Sequence, residues 1–217
     1  MSLTIFDLDN TLISDDSDHL WGEFLVEKKL VDSADYAREN TRFYDDYCQG
    51  KLDINEYLSF ALSFLAEHPL EKLHQWRKQF IDEKIRPLIL PAAQALVNKH
   101  RNNGDTLMVI TATNRFVTEP IVDIFGIHTM LATEPELIDG RYTGRHVDTP
   151  CYQEGKVSRL QSWLSGNNIN LDGSTFYSDS HNDIPLLEKV SHPVAVDPDE
   201  QLRRYATDNK WPIITLR

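Results

Sequence analysis

Short apolar runs that alternate with helical patterns give the first indication of the fold. Each run is a few residues long and is followed by polar side chains, which is typical of buried strands in a parallel sheet. The predicted strands are 3–6, 106–111, 128–132, 174–177 and 193–196. The helical patterns between them lie at 91–102, 116–125, 156–164, 182–189 and 200–208. Strands that alternate with helices predict an α/β fold with a doubly wound, Rossmann-like parallel sheet.

A long helical segment interrupts this alternation. Roughly ninety residues separate Thr11 from the second predicted strand, far more than a normal strand-to-helix connection and one helix need. Within this interval, aromatic residues recur at spacings of three or four, which favours a small helical bundle. The predicted helices are 19–30, 33–49, 53–66 and 70–85. We therefore predict a sheet domain of residues 1–14 and 88–217, with an inserted helical cap of residues 15–87.

Two acidic loops follow predicted strands. Asp7 and Asp9 come directly after the first strand, and Asp179 and Asp183 follow the strand at 174–177. Taken alone, the first pair is also typical of a turn, and the second of a helix N-cap. The carboxyl ends of the strands meet at one edge of an open α/β sheet, so both loops should lie together there. Carboxylate oxygens are ligands that Mg²⁺ prefers, and the sequence therefore predicts a magnesium site.

Residues suited to phosphate binding occupy neighbouring positions. The second predicted strand ends at Thr111, and Ala112 follows it at the start of a helix, where backbone N–H groups can bind an anion. Lys156 opens another helix and offers a point charge. Each of these signals is weak alone, since a threonine at a helix start is commonly a cap and a single lysine is commonly solvated.

The order of these residues along the chain is more informative than any one of them. Asp7-x-Asp9-x-Thr11, then Thr111, then Lys156, then Asp179 with Asp183, resembles the four motifs of the haloacid dehalogenase superfamily of phosphohydrolases. The helical insertion between the first two motifs resembles the cap of the phosphoserine phosphatase-like subgroup. Dehalogenases of the superfamily lack the second carboxylate, so Asp9 favours hydrolysis of phosphate esters.

The resemblance implies a role for each motif residue. Asp7 would be the nucleophile that forms an aspartyl-phosphate, and Asp9 the general acid/base. The remaining assignments are Thr111, Ala112, Lys156 and Asn182 for phosphate, Asp7, Asp9 and Asp179 for Mg²⁺, and Thr11 and Asp183 as supporting residues. The implied enzyme is a Mg²⁺-dependent phosphatase.

The composition of the chain limits the classes of molecule that it is expected to bind. The chain has 217 residues and a net charge of −12, which disfavours binding to nucleic acid or to an anionic membrane. Two cysteines are too few for a disulfide framework, and the N-terminus lacks a basic segment before its apolar run. We therefore expect a cytoplasmic protein with a small-molecule substrate. The sequence does not predict an oligomeric state.

Substrate choice is expected to rest with the cap. Asp18 and Glu23 are candidates for a substrate ammonium, and Arg42 and Arg115 for a carboxylate or phosphate. The alternative for each is a solvated charge or a helix cap. The resemblance and the acidic cap entrance favour small phosphorylated metabolites with an amino group, such as phosphoserine or histidinol phosphate.

Two other functions remain open from the sequence. A phosphotransferase of the same superfamily would differ only in using an alcohol instead of water as the second acceptor. A phospho-acceptor or binding module without catalytic turnover also combines a strand-end Asp with Thr, Lys and Mg²⁺, although its chain is shorter and its residue order differs.

Overall fold

The computed structural model describes residues 2–217 and has a three-layer α/β architecture. The strands in this range are β1 (Leu3–Phe6), β2 (Thr106–Asn114), β3 (Thr129–Ile138), β4 (Arg141–Val147), β5 (Thr175–Ser178), β6 (His192–Val196) and β7 (Ile213–Ile214). They form one sheet in the order β4-β3-β2-β1-β5-β6-β7. All neighbours are parallel except β3 and β4, which confirms the predicted fold class.

Helices cover both faces of the sheet and build the insertion. The helices of the described chain are α1 (Ser17–Glu27), α2 (Ser33–Cys48), α3 (Ile54–Glu67), α4 (Leu70–Phe80), α5 (Pro91–Asn102), α6 (Arg115–Ile124), α7 (Glu154–Asn167), α8 (Ile184–Leu187) and α9 (Glu200–Asp208). A π-helical turn, Ile81–Ile85, extends α4, and 3₁₀ turns occupy Arg86–Leu88 and His181–Asp183. None of the helices within residues 2–217 combines the length and apolar character needed to cross a membrane.

Alternating side chains of the strands divide the core into two apolar layers. In β1, Leu3 and Ile5 pack with the layer under α7, α8 and α9, whereas Phe6 packs with α5, α6 and the inserted helices. The ring of Trp21 in α1 lies 5.9 Å from that of Phe116 in α6. The insertion therefore shares a continuous core with one face of the sheet. The division into residues 1–14 with 88–217 and a cap of 15–87 stays a prediction.

The largest departure from the predicted elements is the hairpin of β3 and β4. The prediction ended the third strand at Ala132, but β3 continues to Ile138 and β4 returns antiparallel to it. Asp139 and Gly140 both have positive φ, as the commonest two-residue hairpin turn requires. The hairpin was missed because its strands are polar and half-exposed at the sheet edge. The predicted helix 182–189 is also shorter, with Pro185 near the start of α8.

Candidate active site

The first motif residue lies at the centre of the sheet edge. Asp7 follows β1, and its backbone N–H donates to the carbonyl of Tyr177 at the end of β5. Lys156, from the first turn of α7, places Nζ 2.8 Å from Oδ1 of Asp7 and 2.8 Å from Oδ2 of Asp183. The lysine side chain is only 2% exposed. This geometry fixes a positive charge beside the expected nucleophile.

The protonation of this group is set by burial and by its own charges. Burial raises the pKa of Asp7 to about 7, while the ammonium of Lys156 acts to lower it. Burial acts to lower the pKa of Lys156, but Asp183 and Asp7 outweigh it and hold that pKa above its ordinary value. The lysine therefore stays protonated at neutral pH, as phosphate binding requires.

The second acidic loop is held by hydroxyl groups. Thr11 Oγ1 donates to Oδ1 of Asp179 over 2.9 Å and accepts from its backbone N–H over 3.1 Å. Ser178 Oγ donates to Oδ2 of Asp183 over 2.7 Å. Burial and then the charge of Asp7 raise the pKa of Asp179 well above its usual range. The positions of Thr11 and Asp183 fit the supporting roles that the resemblance implies.

The donor set fits a hard divalent cation held by few protein ligands. Asp7 and Asp179 each keep their Oδ2 free of side-chain or backbone donors from the described residues. Within residues 2–217, no group of three His, Cys, Asp or Glu side chains converges as a complete metal site. Mg²⁺ commonly binds through one or two carboxylates and takes its remaining ligands from water and substrate phosphate.

Asp9 has a different environment from the other acidic residues. Its Oδ1 accepts from the backbone N–H of Ser17 over 2.7 Å, and its Oδ2 accepts from Oγ1 of Thr113 over 2.9 Å. Thr111 Oγ1 lies 3.4 Å from the same Oδ2. Burial raises the pKa of Asp9, and the hydrogen bonds from Ser17 and Thr113 oppose that shift. Both carboxylate oxygens of Asp9 therefore accept hydrogen bonds from the protein, and the general acid/base and metal-ligand roles of this residue stay predictions.

The predicted phosphate-binding residues divide into two groups. Thr111 and Ala112 line the cavity beside Asp7 and Asp9. The predicted helix start at Ala112 is wrong, because β2 continues to Asn114 and α6 begins at Arg115. Asn182 instead donates from Nδ2 to the carbonyl of Tyr47, at the end of α2, over 3.1 Å. Its Oδ1 accepts from Gln153 Nε2 over 3.0 Å. In this arrangement the Asn182 side chain links α2 to the loop after β5, and the second N–H of its amide is left for a phosphate oxygen.

A cavity opens between the carboxylates of Asp7 and Asp9 and the helices of the insertion. The lining residues are Asp7, Asp9, Asp16, Asp18, His19, Asn40, Phe43, Tyr44, Tyr47, Leu52, Ile54, Tyr57, Thr111, Ala112 and Thr113. Four of them are carboxylates, and none of the lining residues in the described chain is a lysine or an arginine. The cavity is therefore lined by acidic side chains, with the buried ammonium of Lys156 beside Asp7.

Two of these carboxylates belong to the insertion. Asp16 is the N-cap of α1, and its Oδ1 accepts from the backbone N–H groups of Asp18 and His19. Burial, followed by the charge of Asp9, raises the pKa of Asp16 well above its usual value. Burial also raises the pKa of Asp18 to about 7, against the lowering effect of the Tyr57 hydroxyl beside it.

The other predicted specificity residues lie outside the cavity. Glu23 is exposed and lies 3.5 Å from Nε2 of His19. Arg42 pairs with Glu39 and Glu56 on the outer side of α2. Arg115 pairs with Glu134 and donates to the carbonyl of Met130, so it braces α6 against β3. Of the four candidates, only Asp18 lines the cavity.

Sequence reasoning missed Thr113, Asp16 and Tyr57. Thr113 carried a signal, because residues two apart on a strand share a face and Thr111 was already a candidate. Asp16 is one of several acidic residues before the helical pattern of α1, which is a typical N-cap signature. Tyr57 carried no signal of its own, since it is one of many aromatic residues in the insertion.

Comparisons with known proteins place this site in a family. Residues 4–188 match the haloacid dehalogenase-like hydrolase family. A protein of Neisseria meningitidis named histidinol-phosphatase is 45% identical, and the alignment covers 100% of this chain and 99% of that protein. A crystal structure of a Bordetella pertussis protein has a TM-score of 0.93 at 41% identity and covers 100% of this chain and 99% of that one. A substrate-bound phosphoserine phosphatase has the same fold, with a TM-score of 0.72 at 20% identity over 100% of this chain and 93% of that one.

Proposed function

The chain belongs to the haloacid dehalogenase-like hydrolase family, and we propose that it is a phosphatase for small phosphate monoesters that carry cationic groups and no carboxylate. Histidinol phosphate is the substrate that fits this description best. The observation that carries the proposal is the cavity above Asp7 and Asp9, which is lined by four carboxylates and by no lysine or arginine from the described chain.

The charge of the cavity separates the two candidate substrates. Phosphoserine has a carboxylate beside its amino group, and that carboxylate would face Asp16 and Asp18 without a guanidinium to receive it. Like charges brought together in this way cost several kcal/mol. Histidinol phosphate has an amino group and an imidazole ring instead, and both can pair with carboxylates. The name of the Neisseria meningitidis relative, at 45% identity over nearly its whole length, supports the same substrate for this chain.

The reaction proceeds in two displacements at Asp7. A carboxylate oxygen of Asp7 attacks phosphorus, the bond to the substrate oxygen breaks, and Asp9 donates a proton to the departing alkoxide. Water then attacks the phosphorus of the aspartyl-phosphate, Asp9 takes a proton from that water, and Asp7 leaves as a carboxylate. Thr113 and the Ser17 N–H hold Asp9 in place through both steps.

The site needs positive charge because the Asp7 carboxylate and the substrate phosphate that it attacks are both anions. Mg²⁺, held by Asp7 and Asp179 when bound, supplies charge that offsets the phosphate oxygens. Lys156 contributes a second, permanent charge beside Asp7. In this proposal the Thr111 hydroxyl and the backbone N–H of Ala112, both in β2, bind the remaining phosphate oxygens.

The test is a comparison of kcat/KM for histidinol phosphate, phosphoserine and phosphoethanolamine with Mg²⁺. We expect histidinol phosphate to exceed phosphoserine by at least about 100-fold, given the cost of placing like charges together. Inorganic phosphate should form in step with the alcohol, which distinguishes hydrolysis from phosphoryl transfer. Equal values for phosphoserine and histidinol phosphate would contradict the substrate assignment, and full activity in excess chelator would contradict the metal assignment.

A further inference from the structure

We infer that Asp18 and Tyr57 form a subsite in the cap for the cationic aromatic ring of the substrate, separate from the position that receives its amino group. The inference rests on the proposed function, since it assigns part of the same cavity. Asp18 and Tyr57 would distinguish a ligand ring that carries a proton from a ring that does not.

Helix α2 runs along the cavity and gives it two ends. At one end, Asn182 Nδ2 donates to the carbonyl of Tyr47, beside the loop that carries Asp179 and Asp183. One helical turn earlier in α2, Phe43 packs against Tyr57 of α3, whose hydroxyl lies beside Asp18. Tyr57 therefore lies at the end of the cavity away from that loop. A phosphate at Asp7 would place the far group of a small substrate at that end.

Asp18 has no cation to pair with in the protein. Within residues 2–217, no lysine, arginine or histidine nitrogen lies within 4.0 Å of its carboxylate. Asp18 is half-buried, and a partly desolvated carboxylate without such a partner gains from pairing with a ligand cation. The raised pKa of Asp18, about 7, has this same cause in burial.

His19 does not supply the missing charge, although it lines the same cavity. Asn40 Nδ2 lies 3.0 Å from the carbonyl oxygen of His19 and 3.1 Å from its Nδ1. Asn40 reaches this position over Gly22, where a Cβ would lie 2.2 Å from Oδ1 of Asn40. The other ring nitrogen of His19, Nε2, lies 3.5 Å from Glu23, so the imidazole is paired away from Asp18.

Aromatic side chains complete the subsite for a flat ring. The ring of Phe43 lies 5.3 Å from that of Tyr57 at an interplanar angle of 67°, and both line the cavity. Ile54, in the first turn of α3, adds an apolar surface. Faces of aromatic rings attract cations. The Arg42 guanidinium already lies over the Phe43 ring, 4.0 Å from its centroid, so Tyr57 is the ring that we assign to the ligand cation.

Asp16 is suited to the amino group. The peptide group that joins Asp16 to Ser17 carries the N–H that donates to Asp9, so Asp16 lies beside the catalytic carboxylates. Its Oδ1 is used by the α1 backbone, and its Oδ2 has no protein donor in the described chain. An amino alcohol with any ring should therefore use Asp16, whereas only a ring with a proton to donate should use Asp18.

A matched pair of ligands separates these two contributions. L-Histidinol and L-phenylalaninol have the same amino alcohol and differ in the ring, so the ratio of their Kd values reports on the ring subsite. We would measure both by calorimetry with Mg²⁺ present, in the wild type and in Asp18→Asn. Asp15→Asn serves as the control, because it removes the same charge from a neighbouring residue that does not line the cavity. Asp16→Asn tests the amino-group assignment, since asparagine keeps the N-cap.

The wild type should bind histidinol about 10- to 100-fold more tightly than phenylalaninol, the range expected for a charged hydrogen bond. Asp18→Asn should bring the ratio close to one, while Asp15→Asn preserves it and Asp16→Asn weakens both ligands together. If circular dichroism shows that Asp18→Asn is unfolded, Tyr57→Phe provides the test, with a smaller fall in the same ratio.

Three results would overturn the subsite. They are a wild-type ratio near one, a ratio that Asp18→Asn or its substitute leaves unchanged, and equal weakening of both ligands by Asp18→Asn. These outcomes are distinct from failure of the proposed function. A wild type that releases phosphate from histidinol phosphate but shows an unchanged ratio refutes the subsite alone. A wild type that prefers histidinol but releases no phosphate refutes the phosphatase alone.

Discussion

The carboxylates on the two sides of the cavity are held in different ways. On the sheet side, side chains from other elements hold each of them: Lys156 contacts Asp7, Thr113 contacts Asp9, and Thr11 contacts Asp179. On the cap side, Asp16 receives only backbone donors from its own helix, and Asp18 has only the Tyr57 hydroxyl beside it. The sheet side is therefore organised before substrate arrives, whereas the cap side is completed by the substrate.

This difference assigns chemistry to one side and selection to the other. Groups that act in a transition state should be rigid beforehand, because reorganisation during reaction raises the barrier. A carboxylate that recognises a cation contributes most to binding when no cation of the protein already pairs with it. Variants on the sheet side should consequently change kcat for every substrate, and variants on the cap side should change the ranking of substrates.

The largest effect is expected for the nucleophile. Asp7→Asn should lower kcat by at least about 10³-fold, as removal of an attacking group does in other enzymes. The substitution is nearly isosteric, and Lys156 keeps both oxygens of Asp183, so near-ultraviolet circular dichroism should show a folded protein. Turnover of p-nitrophenyl phosphate above a few per cent of the wild-type rate would place the nucleophile elsewhere.

Removal of the buried ammonium should affect stability as well as activity. Lys156→Met leaves Asp7 and Asp183 buried together without their cation, a change that costs about 3–5 kcal/mol. Urea denaturation should show a much lower midpoint. Lys28→Met is the control, because its pair with Glu83 lies at the surface and should shift the midpoint little. Similar midpoints for the two variants would show that the sheet side does not depend on this ion pair.

A smaller effect is expected from the hydroxyl that holds Asp9. Thr113→Val keeps the shape and removes the 2.9 Å hydrogen bond, so kcat should fall about tenfold. The fall should be larger for an alkyl phosphate than for p-nitrophenyl phosphate, whose leaving group needs little protonation. Thr118→Val makes the same change at a buried hydroxyl that bonds only the backbone of Asn114, and it should leave kcat unchanged. Equal losses for both esters would mean that Thr113 does not act through Asp9.

The smallest effect is expected at Arg42. Its guanidinium pairs with Glu39 and Glu56 outside the cavity, so Arg42→Gln should leave kcat/KM for histidinol phosphate within about twofold of wild type, as for substitutions away from a binding site. Steady-state kinetics on the same panel of esters tests this. A tenfold rise in KM would contradict the account of the cap, because it would bring Arg42 to the substrate.

Predictions from the sequence were most successful where position in the chain determines position in space. Asp7 and Asp179 each follow a strand, Thr111 lies near the carboxyl end of β2, and parallel strands bring their ends to the same edge. The bounds of β1, α5 and α9 also agree with the apolar patterns that predicted them. The hairpin after Ala132 was missed, although Asp139-Gly140 is a recognisable turn signal.

The cap was less predictable because helix phase decides which side chains reach the cavity. On α2, Asn40, Phe43, Tyr44 and Tyr47 recur at helical spacing and line the cavity, which leaves Arg42 on the outer side. That periodicity is visible in the sequence. Arg42 was nevertheless selected for its charge, without regard to the face of α2 on which it lies. The pairing of Asp18 with Tyr57 depends on how α1 and α3 pack, which no local pattern specifies.

The central claim is that the carboxylate of Asp7 carries the phosphoryl group and that Asp9 is needed to remove it. It is tested most directly by quenching Asp9→Asn during turnover of p-nitrophenyl phosphate and locating added phosphoryl groups by mass spectrometry. Because this ester needs little protonation to leave, the first step should be partly spared while hydrolysis of the aspartyl-phosphate is slow. We predict a phosphoryl group on the peptide that contains Asp7. A phosphoryl group on any other residue, or turnover at the wild-type rate, would contradict the account.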